Sequence, residues 1–177
     1  MKKTKKEIVE FINKNNDESL TCIYSKSNIK GLDWDQDHVY PKKLIKEKYQ
    51  EHFKKNLHNI FLTSIEGNRI HAHKILFDYQ FTDLTFNEDN KLELVENTFG
   101  KFWLGDPGYF IPRFNKGAIA RSWLYIMTKY HNYVEKKHFS VSIINYLKET
   151  AINEEVSEWE LKRNDKIQFL QGDRNPF

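Results

Sequence analysis

Cysteine is almost missing from the chain: Cys22 stands alone. One thiol excludes an intrachain disulfide and a zinc site built on paired cysteines. It fits a reducing compartment. Long apolar runs are missing too. The basic start Met1-Lys2-Lys3-Thr4-Lys5-Lys6 is not followed by an apolar stretch of signal-peptide length, and no segment reaches the apolar length of a membrane span. The expectation is a soluble, cytoplasmic or otherwise intracellular protein with no membrane partner. Internal repeats and low-complexity linkers are absent. So is a strong excess of one charge: the net charge of +3 does not demand a nucleic-acid partner, although local basic patches fit under a small total.

What is present is aromatic and ionic. Thirteen Phe, nine Tyr and four Trp predict an aromatic-heavy core, and charged residues at 30 % predict a highly ionic surface. The 177 residues suffice for one domain, read here as residues 1–177. Ile8, Val9, Phe11 and Ile12 cluster on one side of a helix over about 5–15, with lysines on the other. Residues 21–40 read as loop and short strand, with Gly31 marking a turn. The basic run Lys42, Lys43, Lys46, Lys48, Lys54 and Lys55 is either a solvated face or a phosphate attractor. A second strand is expected over Leu57–Leu62, then a helix capped by Thr63 or Ser64 that carries Asn68 about one turn inside.

Residues 75–112 read as irregular strands and loops, with a turn at Asn87–Asn90 and breaks at Gly100, Gly105, Pro107, Gly108 and Pro112. From Lys116, helical spacing of Ile119, Trp123, Ile126, Met127 and Tyr130 predicts a buried helix. Ser140 or Ser142 caps the next. A last helix runs from about Val156 to Leu170 with Trp159, Ile167 and Leu170 inward and Gly172 as its stop. The class is α+β.

The chemistry concentrates in Asp33-Trp34-Asp35-Gln36-Asp37-His38-Val39-Tyr40-Pro41. Val39 and Tyr40 favour extended backbone, and Pro41 blocks a helix. A carboxylate beside an imidazole offers a hard oxygen ligand for a divalent cation and a base near neutral pH, a start for metal-assisted hydrolysis. Alone, the stretch reads more readily as a solvated acidic loop with one exposed His.

Further blocks change that reading. Asp37-His38-Val39-Tyr40-Pro41 is followed by Leu57-His58-Asn59-Ile60 and, ten residues after that His, by Asn68. Lys116-Gly117-Ala118-Ile119-Ala120-Arg121 leads to Tyr125, Met127 and Tyr130. Val156-Ser157-Glu158-Trp159-Glu160, Arg163-Asn164-Asp165 and Gln171-Gly172-Asp173-Arg174-Asn175-Pro176-Phe177 close the chain. In this order the blocks resemble the endonuclease I family of the His-Me finger (ββα-metal) nucleases, over about residues 31–177.

The resemblance implies an α+β fold with a ββα-metal core. It implies an endonuclease that hydrolyses phosphodiester bonds of DNA or RNA, with little sequence preference, to 5′-phosphate and 3′-hydroxyl ends. His38 would be the general base. Asp37 and Asn68 would ligate one Mg²⁺, and Mn²⁺ or Ca²⁺ would fit the same oxygen donors. His58 and Asn59 would orient His38 or join the strands. Arg121 is either a phosphate contact or an ion pair to Glu160 or Asp165.

The chain departs from the family pattern at several places. Relatives usually carry Glu at the position of Asp37. An Arg three residues after the metal-binding Asn, and an Asn two later, are here His71 and His73; an Asp before Leu-His-Asn is Asn56. Arg69, His71 or the basic run would then serve as phosphate clamp. A catalytically silent nucleic-acid-binding protein and a site- or structure-specific nuclease, with residues 75–112 reading bases, stand as alternatives. Without export signal or paired cysteines, the setting points to intracellular DNA processing, as in a virus or phage. Monomer and dimer are both compatible with the sequence.

Overall fold

Thr4 opens helix α1 (Lys5–Asn13) through a capping box: its hydroxyl accepts from the Glu7 amide, and the Glu7 carboxylate accepts from the Thr4 amide at 2.6 Å. The computed structural model describes residues 4–15, 17, 19–78, 94–104, 108–134 and 139–177. The turn expected at Asn87–Asn90 and the breaks at Gly105 and Pro107 fall outside the described residues. Val9 and Ile12 are the buried edge of α1, and Asn13 ties its end to β2 (Ile60–Ser64) by donating to the Ile60 carbonyl.

Strand β1 (Trp34–His38) pairs antiparallel with β2 in a two-stranded sheet, from Trp34 opposite Ser64 to His38 opposite Ile60. Between them the basic run forms two 3-10 turns and the short helix α2 (Gln50–Phe53). The second strand starts later than the apolar run Leu57–Leu62 predicts. Leu57–Asn59 is a 3-10 turn, because the Asn56 side chain accepts from the His58 amide at 3.0 Å and caps it. Ser64 then caps α3 (Ile65–His71) by accepting from the Gly67 amide at 3.0 Å. The order is strand, strand, helix.

Gly67 lets α3 settle onto the hairpin. A Cβ there would lie 2.4 Å from Thr63 Oγ1 and 3.1 Å from the Phe99 ring. Gly67→Ala is expected to cost about 1–3 kcal/mol by overpacking and to lift α3, so that Asn68 moves with it. Thermal melting read beside a cleavage assay checks this: activity should fall further than the melt alone accounts for.

Beyond α3, β3 (Ile75–Leu76), β4 (Leu94–Asn97), β5 (Gly100–Trp103) and β6 (Tyr109–Pro112) form a second sheet in the order β3-β6-β5-β4. Only β3 and β6 are parallel among these pairs. Helix α4 (Lys116–Lys129) is buried on nearly every side from Gly117 to Ile126. It props the site strand, since Trp123 Nε1 donates to the Val39 carbonyl at 2.6 Å. Helix α5 (Val141–Asn153) is capped by Ser140, and α6 (Glu158–Gln171) by Ser157. Gly172 ends α6 at φ +88°, in the left-handed region where a side chain is strained.

Helix α6 corrects an expectation. Its inward line is Glu160, Arg163 and Ile167, while Leu170 is 39 % exposed. Gln171 turns inward in its stead and accepts from the Leu57 amide at 2.7 Å.

Candidate active site

β1 sets the geometry because successive side chains of a strand leave by opposite faces. Asp35 and Asp37 project toward α3. His38 projects the other way, toward the turn that ends α2.

On the α3 side, Asn68 Nδ2 donates to Asp35 Oδ2 at 2.6 Å. That bond commits the amide nitrogen to Asp35, so the amide oxygen is the atom of this side chain that could serve a cation. Asp37 is buried at 3 % exposure. Its Oδ2 receives the Tyr24 hydroxyl and lies 2.7 Å from His71 Nδ1. Burial first, and then the Asp37 charge, hold the Tyr24 phenol well above its ordinary pKa, so it stays a proton donor. His71 is itself buried between Tyr24 and Phe110, with ring centroids 5.5 and 5.7 Å away. Despite its closeness to Asp37, His71 Nδ1 has no aligned hydrogen-bond partner among the described residues.

On the other side, His38 Nε2 sits 3.0 Å from the Lys54 carbonyl. A carbonyl only accepts, so this nitrogen carries the proton and Nδ1 keeps its lone pair. Burial lowers the His38 pKa, and the charges of Lys5 and Lys42 push the same way, against the Lys54 carbonyl and Asp37. The imidazole is therefore neutral at neutral pH. Lys5 and Lys42 also make this edge positive, as phosphate binding requires.

Other expected residues play structural parts. Asn59 joins the strands: its Oδ1 accepts from the Tyr40 amide at 2.7 Å and its Nδ2 donates to the Tyr40 carbonyl at 3.0 Å. His58 lies 4.4 Å from the Tyr125 ring and donates to the Asp173 carbonyl at 3.2 Å. Burial, and then the Arg163 charge, lower its pKa to about 4, which keeps it neutral. The Arg121 guanidinium is buried. It holds Glu160 through two bonds of 2.8 and 2.7 Å and caps the Ala151 and Glu154 carbonyls, so the ion-pair alternative is the one observed. Arg69 is exposed on α3 next to Asn68, and His73 lies beyond the end of that helix.

Sequence reasoning missed two contributors. Asp35 is one of three carboxylates in the Asp33–Pro41 stretch and lies outside the motif blocks, yet period-two alternation puts it on the face of Asp37. Tyr24 gave no signal, since only the fold brings it to Asp37.

The α3 face offers carboxylate and amide oxygens, the hard donors a Mg²⁺-like ion takes. Among the described residues no three His, Cys, Asp or Glu side chains converge to hold a metal alone. An ion here would need Asn68 as well as Asp37. The donor chemistry fits.

A family model described as Endonuclease I matches residues 2–177, beginning ahead of the first motif block and taking in α1. No curated protein matches the chain.

Proposed function

The chain belongs to the endonuclease I family and is a nuclease acting on nucleic acid, and from that premise we propose a divalent-ion-dependent hydrolysis of DNA or RNA phosphodiester bonds with little sequence preference, leaving 5′-phosphate and 3′-hydroxyl ends. The observation that carries the proposal is the end of β1. Adjacent residues there present a neutral imidazole on one face and a carboxylate–amide oxygen set on the other.

His38 Nδ1 accepts the proton of the attacking water, while the Lys54 carbonyl fixes the tautomer and the ring plane. Asp37 and the Asn68 amide oxygen would hold the ion, with Asp35 orienting Asn68 and Tyr24 orienting Asp37. When bound, a Mg²⁺-type ion supplies charge stabilisation at the phosphate and leaving oxygens. Lys5, Lys42 and the exposed Arg69 attract the substrate backbone.

Purified full-length protein with Mg²⁺ or Mn²⁺ should nick plasmid or degrade DNA or RNA, and EDTA should abolish the cleavage. If double-stranded, single-stranded and branched substrates all survive, the proposal fails. Salt-dependent binding without cleavage would select a binding-only protein on this fold.

The pH profile is a second check. The base must be neutral, so kcat/KM rises as pH passes upward through the His38 pKa. Burial depresses that pKa below the ordinary 6.5, so the acid limb should fall below pH 6.5. A limb at or above 6.5 would contradict the neutral, buried base.

A further inference from the structure

His71 is turned into the protein, away from solvent. It ends α3, is 2 % exposed, and is enclosed by the Tyr24 and Phe110 rings. Its Nδ1 lies 2.7 Å from Asp37 Oδ2 without the alignment of a hydrogen bond. A buried nitrogen with no aligned hydrogen bond among the described residues, this close to a carboxylate, asks for an explanation.

A cation supplies one. Adjacent donors on an octahedral divalent ion at about 2.1 Å are about 3 Å apart, close to the observed Nδ1–Oδ2 separation. Asn68 lies three residues before His71 on the same helix, so the two side chains share a face. Asn68 is bonded to Asp35, the neighbour of Asp37 on the α3 face of β1. The Tyr24 hydroxyl on Asp37 Oδ2 is then the outer-shell donor that orients the ligating carboxylate.

We propose that His71 Nδ1 is a third protein ligand of the ion held by Asp37 and Asn68, and that this nitrogen makes the site a Mn²⁺ site ahead of a Mg²⁺ site. Mg²⁺ takes oxygen donors and gains little from imidazole, whereas imidazole suits the transition-metal ions. The inference rests on the metal reading above and changes which ion fills the site best. It also removes His71 from the candidates for the phosphate clamp, leaving that task to exposed cations such as Arg69.

The test reads the metal, not turnover. Metal-free full-length protein is loaded with Mn²⁺ and examined by electron spin echo modulation, with Mn²⁺ and Mg²⁺ affinities from calorimetry. Nitrogen coupling from a bound imidazole is expected in the wild type, in His38→Ala and in His73→Ala, and is lost in His71→Gln. His71→Gln should weaken Mn²⁺ by at least about 10-fold, the lower bound for disturbing even an outer-shell partner, and Mg²⁺ by much less. Circular dichroism confirms that each variant is folded; should His71→Gln unfold, the wild-type, His38→Ala and His73→Ala spectra decide. Mn²⁺ bound in an Asp37-dependent way but without nitrogen coupling overturns the inference and leaves the two-ligand reading intact. Absence of any Mn²⁺ or Mg²⁺ binding that depends on Asp37 and Asn68 overturns both.

Discussion

His38→Ala is expected to lower the rate of phosphodiester cleavage by about 10²- to 10⁴-fold, the range for losing a positioned general base. The fold should survive. The ring is half-buried, and its hydrogen bond to the Lys54 carbonyl is worth about 0.5–1.5 kcal/mol. The neighbours Val39 and Tyr40 keep the strand anchored, being fully buried and braced by Trp123 and by the Asn59 side chain. A single-turnover assay beside a thermal melt separates the two effects: a large rate loss with a small shift in Tm. A variant that cleaves at nearly the wild-type rate would remove His38 from the chemistry.

Arg121→Ala is expected to act on stability. The side chain is 3 % exposed and clamps Glu160, on α6, to the α4–α5 pair through four bonds. Its loss strands a carboxylate that is 9 % exposed. Breaking one side of such a pair costs about 3–5 kcal/mol, a large share of the roughly 5–15 kcal/mol that holds a domain folded. At about 2–4 °C per kcal/mol for this size, Tm should drop by about 6–20 °C. Replacing both partners with apolar residues, as in Arg121→Met with Glu160→Leu, should recover much of the loss, because no uncompensated charge remains. The contrary result is an unchanged melt with a raised KM, which would return Arg121 to substrate binding.

The ββα order was readable because its punctuation is local. Pro41 follows three residues after the end of β1, Ser64 caps α3, and Asn68 follows within a turn. Helices α4, α5 and α6 announced themselves through apolar spacing, a serine cap for each of the last two and Gly172. What stayed hidden depends on side chains acting against their type. Leu57-His58-Asn59 looks like strand by composition, but the Asn56 amide captures it as a turn. On α6 the apolar pattern pointed Leu170 inward. The helix instead buries Glu160 and Arg163, whose charge is met by Arg121 and by the Asn13, Leu57 and Ile60 oxygens. Around the site, Asp37 and His38 were visible as a motif, and the partners that set their states were not. The Lys54 carbonyl and the Tyr24 hydroxyl belong to segments that only folding brings together.

The most direct measurement is a metal titration of single-turnover cleavage for the wild type, His38→Ala and Asn68→Ala. With an ion on the α3 face of β1 and a base on the other face, the two variants should fail differently. His38→Ala should lower the plateau rate by about 10²- to 10⁴-fold with little change in the half-saturating metal concentration. Asn68→Ala should raise the metal concentration needed to reach its plateau. If instead His38→Ala reaches the wild-type plateau, or cleavage proceeds at full rate without any divalent ion, this division of labour along β1 is contradicted.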